Sequence, residues 1–332
     1  MRPRIIPVDD QSRVGEVRRL AVWAAESEGF DPKRTEEVAI VATETATNLW
    51  KHAHGGQIFL SCLSGISQPG VEIISVDRGP GMASVQACIA DGYSTSGTPG
   101  TGLGAITRLA DEFDAYSQVG KGTVLVARKF ASARPGPGTW TFASLAVPYP
   151  GEEVCGDNWS VRGDGTKVAL VVADGLGHGV LAAEASRTAV EVFRKGEMEP
   201  PASMLENIHL ALRSSRGAAV AVAVLECASG RIGYAGVGNI VGVLVGGARS
   251  QFMVSHNGTA GLALRRLQQF DYTVPPDGLI VMHSDGLISN WTLDLYPGLR
   301  FRHPSVIAGV LWRDASRGRD DSCVVVGKRM AA

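Results

Sequence analysis

Alternating proline and glycine at residues 131–139, Ala-Ser-Ala-Arg-Pro-Gly-Pro-Gly-Thr, limit the fold of this chain more than any other feature. Proline fixes φ and lacks an amide donor, and glycine loses much entropy when it is ordered, so neither a helix nor a strand continues through such a run. The segment predicts a linker at 131–139 between two domains, 1–130 and 140–332. Each part is long enough to bury a core of ordinary domain size.

Composition and charge are those of a soluble globular chain. Of 332 residues, 45% are hydrophobic and 20% charged, and 32 basic against 33 acidic residues leave a net charge of −1. No global attraction to nucleic acid or to an anionic membrane is expected from that balance. The N-terminus lacks the apolar core of a signal peptide, and the longest apolar run, 217–227, is too short to cross a bilayer.

Five cysteines stand singly in the sequence, without Cys-x-x-Cys pairs: Cys62, Cys88, Cys155, Cys227 and Cys323. An odd, dispersed set is typical of reduced thiols in a cytoplasmic protein and disfavours a zinc site. We therefore expect a cytoplasmic location.

Hydrophobic periodicity in the first part predicts two helices, then two strands, a glycine-rich loop, a helix and a strand. The predicted helices cover 12–28, about 31–52 and 104–111, and the strands cover 58–63, 71–76 and 123–130. This order predicts an α/β sandwich with helices over one face of a mixed sheet.

Polar residues share one face of the second predicted helix. Glu44, Asn48 and His52 lie four residues apart, and Lys51 is their neighbour. These side chains make poor core but suit a magnesium nucleotide: Asn48 as an oxygen ligand, Lys51 on phosphate, and Glu44 polarising a hydroxyl nucleophile. An exposed face with ion pairs is the alternative for this helix alone.

The strand at 71–76 ends on Asp77-Arg-Gly-Pro-Gly-Met. An aspartate there can accept a hydrogen bond from an exocyclic amine, and Gly79 and Gly81 allow a flat base to approach the backbone.

Glycine and hydroxyl residues are concentrated at 92–104, just before a predicted helix, and the glycines include Gly100, Gly102 and Gly104. Backbone amides at a helix start bind phosphate, although a flexible surface loop has the same composition. Together with the two preceding motifs, in this order, the segment favours a nucleotide site.

The three motifs resemble those of the Bergerat-fold (GHKL) ATPases, in particular the RsbT/RsbW-like serine/threonine switch kinases. Glu44-Thr-Ala-Thr-Asn48 is similar to the helix motif of that family, Asp77-Arg-Gly-Pro-Gly81 to its adenine motif, and residues 91–104 to the RsbT lid. The resemblance spans the first domain. No dimerisation and phosphoacceptor helix precedes it, which argues against a histidine kinase.

The resemblance implies a role for each matching residue. Glu44 would be the general base on a substrate Ser or Thr hydroxyl and Asn48 a magnesium ligand, while Asp77 would contact the adenine amine. Gly102 and Gly104 would contact the phosphates. Positioning and charge neutralisation dominate phosphoryl transfer, so loss of Asn48 is expected to be severe.

Short strands dominate the second part, with predicted helices at 178–195 and 202–214. The strands are predicted at 167–173, 218–226, 232–237, 241–245, 279–282 and 323–327. Because strands outnumber helices and many are strongly apolar, we expect a β-sandwich flanked by helices.

Four aspartates lie at the ends of these strands or close to them: Asp157, Asp174, Asp285 and Asp320. Carboxylates at buried strand ends are costly unless their charge is compensated, and all-oxygen sites suit Mg²⁺ or Mn²⁺. Two such ions activate water and clamp a phosphoryl group. A simple turn is the alternative for any single Asp-Gly pair.

Three histidines near these strands are candidate functional groups. His178 could be a proton donor, a metal ligand or a structural residue at a helix start. His256 and His283 are interpreted as structural or surface residues.

Residues from about 140 to 332 resemble the PPM-type metal-dependent serine/threonine phosphatases, and among them the small SpoIIE/RsbX-like bacterial branch. The similar stretches are 154–157, 172–179, 236–240, 284–286 and 320–324. The resemblance implies that Asp174 bridges two metal ions, with Asp157 on one ion and Asp285 and Asp320 on the other. The carbonyl of Gly175 would complete a coordination shell.

The last of these stretches departs from the family pattern, because Cys323 stands where threonine is usual. Either Asp320 or Asp321 could be the ligand there, and we favour Asp320.

The two resemblances together predict a fused kinase and phosphatase, with Glu44 and Asp174 as catalytic residues. ATP with Mg²⁺ would serve the first domain and two Mn²⁺ or Mg²⁺ ions the second. The family's substrates are Ser or Thr residues of STAS-domain proteins in stress-signalling complexes that govern a sigma factor. The resemblance therefore implies STAS-domain proteins as partners. A downstream phosphatase or sigma regulator is a further expected partner. Two alternatives stay open: a nucleotide-gated anti-sigma-type binding module fused to an active phosphatase, and a kinase fused to a scaffold.

Overall fold

The computed structural model describes residues 3–63, 68–90, 102–132, 139–246, 250–262, 264 and 267–330. The chain divides into two compact units. The first contains Met1–Gly136 together with Leu293–Arg313, and the second contains Pro137–Thr292 and Asp314–Ala332. The domain boundaries predicted from the sequence stay a prediction, and they do not include the return of Leu293–Arg313 to the first unit.

Among the described residues, the first unit contains five strands, four helices before residue 110 and most of one late helix. Its strands are β1 (Arg4–Val8), β2 (Gly56–Cys62), β3 (Gly70–Val76), β4 (Glu112–Gln118) and β5 (Gly122–Phe130). Its helices are α1 (Ser12–Ser27), α2 (Pro32–His52), α3 (Val85–Ile89), α4 (Gly102–Leu109) and, in the late segment, α7 (Pro304–Ala315).

The five strands form one sheet in the order β1-β2-β3-β5-β4, and every neighbouring pair is antiparallel. The α/β sandwich is therefore confirmed, but the mixed sheet expected from the element order is wrong. The strand pairs β2-β3 and β4-β5 are successive in the chain, so each can turn back on itself without a crossover.

Helix α2 begins where the sequence predicts. Asp31 accepts a hydrogen bond from the backbone amide of Arg34 at 2.8 Å, and Pro32 occupies the first helical position. Its apolar residues, with those of α1, pack on one face of the sheet in a core that includes Val38, Ile58 and Ile73.

The other face of the same sheet is also buried. Phe59, Ile74 and Val126 lie side by side in the strand register, and none is more than 1% exposed. The ring of Trp312, on α7, meets Phe59 edge to face at 5.1 Å between centroids. The segment Leu293–Arg313 therefore supplies the second layer on this sheet.

The part of the second unit that the structure describes contains ten strands and two α-helices that lie wholly within it. The strands are β6 (Trp140–Val147), β7 (Asp157–Gly163), β8 (Lys167–Gly175), β9 (Ala218–Glu226), β10 (Arg231–Val237), β11 (Val241–Val245), β12 (Gln251–Met253), β13 (Phe270–Thr273), β14 (Leu279–His283) and β15 (Ser322–Arg329). The helices are α5 (Val180–Lys195) and α6 (Pro201–Ala211).

Two five-stranded antiparallel sheets form the second unit, in the orders β13-β10-β9-β8-β7 and β12-β11-β14-β15-β6. Residues from both sheets, such as Leu170, Ala221 and Met282, share one core. Helices α5 and α6 cover the outer face of the first sheet through Ala185, Leu205 and other apolar residues. This arrangement confirms the predicted β-sandwich flanked by helices. Among the described residues, none of the helices has the length and hydropathy needed to cross a membrane.

Candidate functional sites

The helix motif and the glycine-rich motif of the first unit meet in space. Glu44 and Asn48 are half-buried on α2, and a Cβ atom placed on Gly102 would lie 3.1 Å from both Glu44 Oε2 and Asn48 Oδ1. The start of α4 therefore approaches these two side chains closely. Gly104 is buried on the same helix, and Lys51 is exposed one turn after Asn48. Gly100 lies outside the described residues.

Asp77 follows β3 and is held by its neighbours. Its Oδ1 accepts hydrogen bonds from the amides of Gly79 at 2.8 Å and Thr123 at 3.1 Å, and its own amide donates to the Thr123 carbonyl. Burial raises the pKa of Asp77, while the two hydrogen bonds and the charge of Arg313 oppose the rise. Both of these bonds to the carboxyl group end on Oδ1.

The glycines of the adenine motif are required by backbone packing as well as by any ligand. A Cβ on Gly79 would lie 2.7 Å from Ala53 Cα, at the end of α2. Gly81 has φ of +69°, and a Cβ there would lie 2.2 Å from the Gln118 carbonyl oxygen. Gly79 thus lets the loop after Asp77 approach the end of the helix that carries Glu44, and Gly81 lets it approach the end of β4.

In the second unit, Asp157 and Asp174 are direct cross-strand partners on β7 and β8. Burial raises the pKa of Asp157 well above its usual range, and the charge of Asp174 adds to the rise. Burial, then the charges of Asp285 and Asp320, raises the pKa of Asp174 to about 7. Like charges in a buried site shift pKa values upward in this way when no cation compensates them.

Asp285 follows β14, in the other sheet, and Asn239 Nδ2 donates to its Oδ2 at 2.7 Å. Burial and the nearby Asp320 raise its pKa. Ser284 Oγ donates to Asp157 Oδ2 at 2.6 Å and accepts from the amide of Cys323 at 3.0 Å. The two sheets are thereby joined at the edge that carries the aspartates.

The two adjacent aspartates before β15 have different contacts, and the choice of Asp320 as the ligand stays a prediction. Asp321 is buried, and its Oδ1 accepts from the amide of Tyr149 at 2.8 Å. Asp320 is less buried and acts electrostatically on Asp174 and Asp285. Asp321 also acts electrostatically on Asp157 and Asp174, and its buried Oδ2 has no hydrogen-bond partner, so these contacts do not decide between the two aspartates.

The donor set fits Mg²⁺ or Mn²⁺. All candidate ligands are oxygens, and the buried Asp157 Oδ1 has no hydrogen-bond partner. Within the part of the chain that the structure describes, however, no three acidic, histidine or cysteine side chains converge as the ligands of one ion would. Gly175 lies at the end of β8, where its amide donates to the Gly156 carbonyl. Its role and the ligand assignments stay predictions.

The three histidines occupy different environments. His178 is exposed, stacks on Tyr149 at 4.4 Å between ring centroids, and its Nδ1 lies 2.9 Å from Glu152 Oε1. His283 is fully buried between the Ser284 carbonyl and the indole of Trp291. The ring of His256 lies 5.7 Å from that of Phe270. The structural interpretation of His283 agrees with its burial.

Sequence reasoning missed three polar residues of these sites. The sequence places Thr123 in a predicted strand, and Asn239 and Ser284 lie within stretches similar to the phosphatase family, but none of the three is predicted to have a role of its own. Each acts through a hydrogen bond to an aspartate rather than through a charge of its own. A polar residue directly before or after an apolar strand is the signal that could have identified them.

Two protein families match separate parts of the chain. Residues 7–129 match the family described as histidine kinase-like ATPase domain. Residues 164–328 match the family described as stage II sporulation protein E (SpoIIE).

Relatives of known name match the same two parts. The chain is 34% identical to the serine/threonine-protein kinase RsbT of Bacillus subtilis (strain 168) over 113 residues, 34% of this chain and 85% of the relative. It is 25% identical to the phosphoserine phosphatase RsbX of the same organism over 138 residues, 41% of this chain and 69% of the relative.

Solved structures support the fold of the second part. A crystal structure of RsbX in complex with magnesium has a TM-score of 0.51 and 21% identity, covering 58% of this chain and 97% of that one. A chain from a study of the bacterial stressosome, a modular system adapted to control secondary messenger signalling, has a TM-score of 0.53 and 24% identity, covering 57% of this chain and 98% of that one.

Proposed function

Because the chain belongs to the RsbT-like family of serine/threonine kinases and carries a SpoIIE-type phosphatase domain in the same polypeptide, we propose that it both adds phosphate to and removes phosphate from Ser or Thr residues of partner proteins. The observation that carries the proposal is the approach of Gly102 to both Glu44 and Asn48, in a chain whose Asp174 is also affected by the charges of Asp285 and Asp320.

In the kinase half, the residues bind and orient ATP rather than react with it. Asp77 Oδ2 accepts from the adenine amine, and the amides near Gly102 and Gly104 face phosphate at the start of α4. Asn48 Oδ1 would hold Mg²⁺, which would neutralise phosphate charge. Glu44 accepts the proton of the attacking Ser or Thr hydroxyl. The position of Glu44 beside Asn48 supports this division of roles.

In the phosphatase half, Asp157, Asp174, Asp285 and Asp320, with the Gly175 carbonyl, would hold two Mg²⁺ or Mn²⁺ ions. These ions, when bound, supply an activated water and neutralise the phosphoryl group. The chain itself orients the ligands: Ser284 fixes Asp157, and Asn239 fixes Asp285. The phosphoserine phosphatase RsbX, to which this half is similar, supports a phosphorylated protein side chain as the substrate.

STAS-domain proteins of a stress-signalling complex are the partners that we propose. The similarity to RsbT and to a chain of a bacterial stressosome study supports this class of partner. Both activities on one partner would consume ATP without net change, so separate control of the two sites is part of the proposal. A nucleotide-gated binding module in place of the kinase is less well supported, because pure binding does not require a carboxylate at Glu44.

The test is transfer of the γ-phosphate of labelled ATP to a STAS-domain protein encoded in the same genome. Label should accumulate with Asp174→Asn, turn over with the wild type and be absent with Glu44→Ala. If Glu44→Ala labels the partner protein at the rate of the wild type, Glu44 has no role in the mechanism. Nucleotide binding without transfer by any variant would favour the binding module.

A further inference from the structure

One segment of the chain belongs to the phosphatase domain by sequence and to the ATPase unit by contact. Leu293–Arg313 lies within residues 164–328, which match the SpoIIE family, and it lies between Asp285 and Asp320 in the sequence. In the structure it packs with the first unit, where α7 covers the outer face of the sheet.

Helix α7 rests on the two strand ends that form the nucleotide site. Gly309 has no side chain at the point of contact, and a Cβ there would lie 2.6 Å from Val124 Cγ1 and 3.5 Å from Val76 Cγ2. Val76 directly precedes Asp77, and Val124 directly follows Thr123, its hydrogen-bond partner. The helix backbone therefore packs against the strand residues next to Asp77 and Thr123.

Arg313, near the end of α7, reaches that motif directly. It is 1% exposed, and its Nη1 lies 3.5 Å from the carbonyl oxygen of Asp77. The Arg78 guanidinium donates in return to the Arg313 carbonyl. The positive charge of Arg313 also opposes the rise in the pKa of Asp77 that burial causes. Arg313 thus acts on the backbone and on the carboxyl group of Asp77, the residue that would bind the adenine amine.

We infer that Arg313 is a positioning residue of the nucleotide site: it holds the Asp77-Arg78 backbone so that the Asp77 carboxylate faces the exocyclic amine of adenine. The inference rests on the proposed function, since it assumes that the first unit binds ATP at Asp77. It adds that a segment of phosphatase sequence completes the nucleotide site. Because coupling between binding equilibria is reciprocal, bound ATP then stabilises the docked segment as much as docking favours ATP.

Base selectivity separates positioning from general support of the fold. Adenine presents an amine where guanine presents a carbonyl, so a well-placed Asp77 carboxylate favours ATP and rejects GTP. Loss of Arg313 should therefore reduce the preference for ATP over GTP, whereas a loss of stability alone would weaken both nucleotides equally.

The experiment measures dissociation constants of MgATP and MgGTP by calorimetry with the full chain, comparing Arg313→Met with Arg302→Met. Arg302 is a matched control in the same segment, half-exposed and paired with Asp114 at 3.2 Å. We expect Arg313→Met to weaken the binding of MgATP by about tenfold or more and the binding of MgGTP much less. The loss of a buried charge-assisted contact has an effect of about this size on affinity. Arg302→Met should leave both constants within about twofold, as surface substitutions do.

An unchanged ATP-over-GTP ratio in Arg313→Met, whether or not both affinities fall, would overturn the inference while leaving the proposed function intact. A wild type that binds no ATP would overturn both. If Arg313→Met does not fold, Gly309→Ala replaces it, because the added methyl group meets Val124 and displaces the helix. Gly309→Ala should then lower the same ratio, and a folded Gly309→Ala with the wild-type ratio would contradict the inference. Hydrolysis of p-nitrophenyl phosphate by each variant verifies that the second unit is folded.

Discussion

Glu72→Gln is the substitution whose effect on stability can be worked out most fully. Glu72 lies on β3 and is 4% exposed; its Oε2 accepts from Arg128 Nε at 2.7 Å and from Ser305 Oγ at 2.6 Å. Arg128 is also buried and donates to Ser305 at 3.2 Å. The cluster therefore joins two strands of the sheet to the start of α7.

Removing one partner of a buried ion pair leaves the other charge uncompensated and destabilises a protein by about 3–5 kcal/mol. Here the loss is reduced because Glu112 Oε2 still lies 3.5 Å from Arg128 Nη1. We therefore expect Glu72→Gln to lower the free energy of unfolding of the first unit by about 2–4 kcal/mol.

The assay is equilibrium urea unfolding of the full chain, with hydrogen exchange of the β3 and β5 peptides identifying the transition of the first unit. Glu36→Gln is the control, because Glu36 forms an exposed pair with Arg18 at 3.1 Å and should change stability by about 1 kcal/mol or less. Equal effects of the two substitutions would refute the reasoning that this cluster is a buried, energetically coupled contact with α7.

Two further predictions concern the sites themselves. Burial raises the pKa of Asp77, and a neutral carboxyl group is a poorer acceptor, so the affinity for MgATP should fall on acidification at a pH above the ordinary aspartate range. Asp77→Asn should bind MgATP weakly at every pH, as measured by calorimetry. The same fall in affinity at low pH in Asp77→Asn would show that another group causes it. Asn239→Ala should weaken the activation of p-nitrophenyl phosphate hydrolysis by Mn²⁺ by about 10–100-fold, because Asp285 loses the donor that orients it. Asn207, an exposed amide in the same unit, provides the control, and Asn207→Ala should leave the activation unchanged. Equal Mn²⁺ titrations of the two variants would show that Asn239 is not part of the site.

The parts of the fold with strong local signals could be predicted from the sequence. Asp31-Pro32 marks the start of α2, and the apolar runs that precede Asp174 and Asp285 mark the strands β8 and β14. Strand β1 contains a proline, and the edge strand β4 is rich in polar residues, so neither has a clear strand pattern. Without those two strands, the element order gave the wrong sheet type.

The second layer on the first sheet could not be predicted for a different reason. Helix α7 is apolar on most of its surface, which indicates burial but not the partner on which it packs. Its glycine at 309 would ordinarily be read as a weakness in a helix, whereas in the structure it allows close approach to Val124. Which sheet a helix covers depends on long-range contacts, and a single sequence does not contain that information. Arg313 was missed for the same reason.

Release of ADP in the presence of a STAS-domain partner tests the central claim most directly, since it reports both activities in one assay. With the wild type we predict continuous ADP production well beyond one equivalent of partner, because each phosphate that is added is removed again. With Asp174→Asn, production should stop once each partner molecule is phosphorylated, and with Glu44→Ala it should not begin. Identical continuous production by the wild type and Asp174→Asn would contradict the account, because ATP would then be consumed without the phosphatase site.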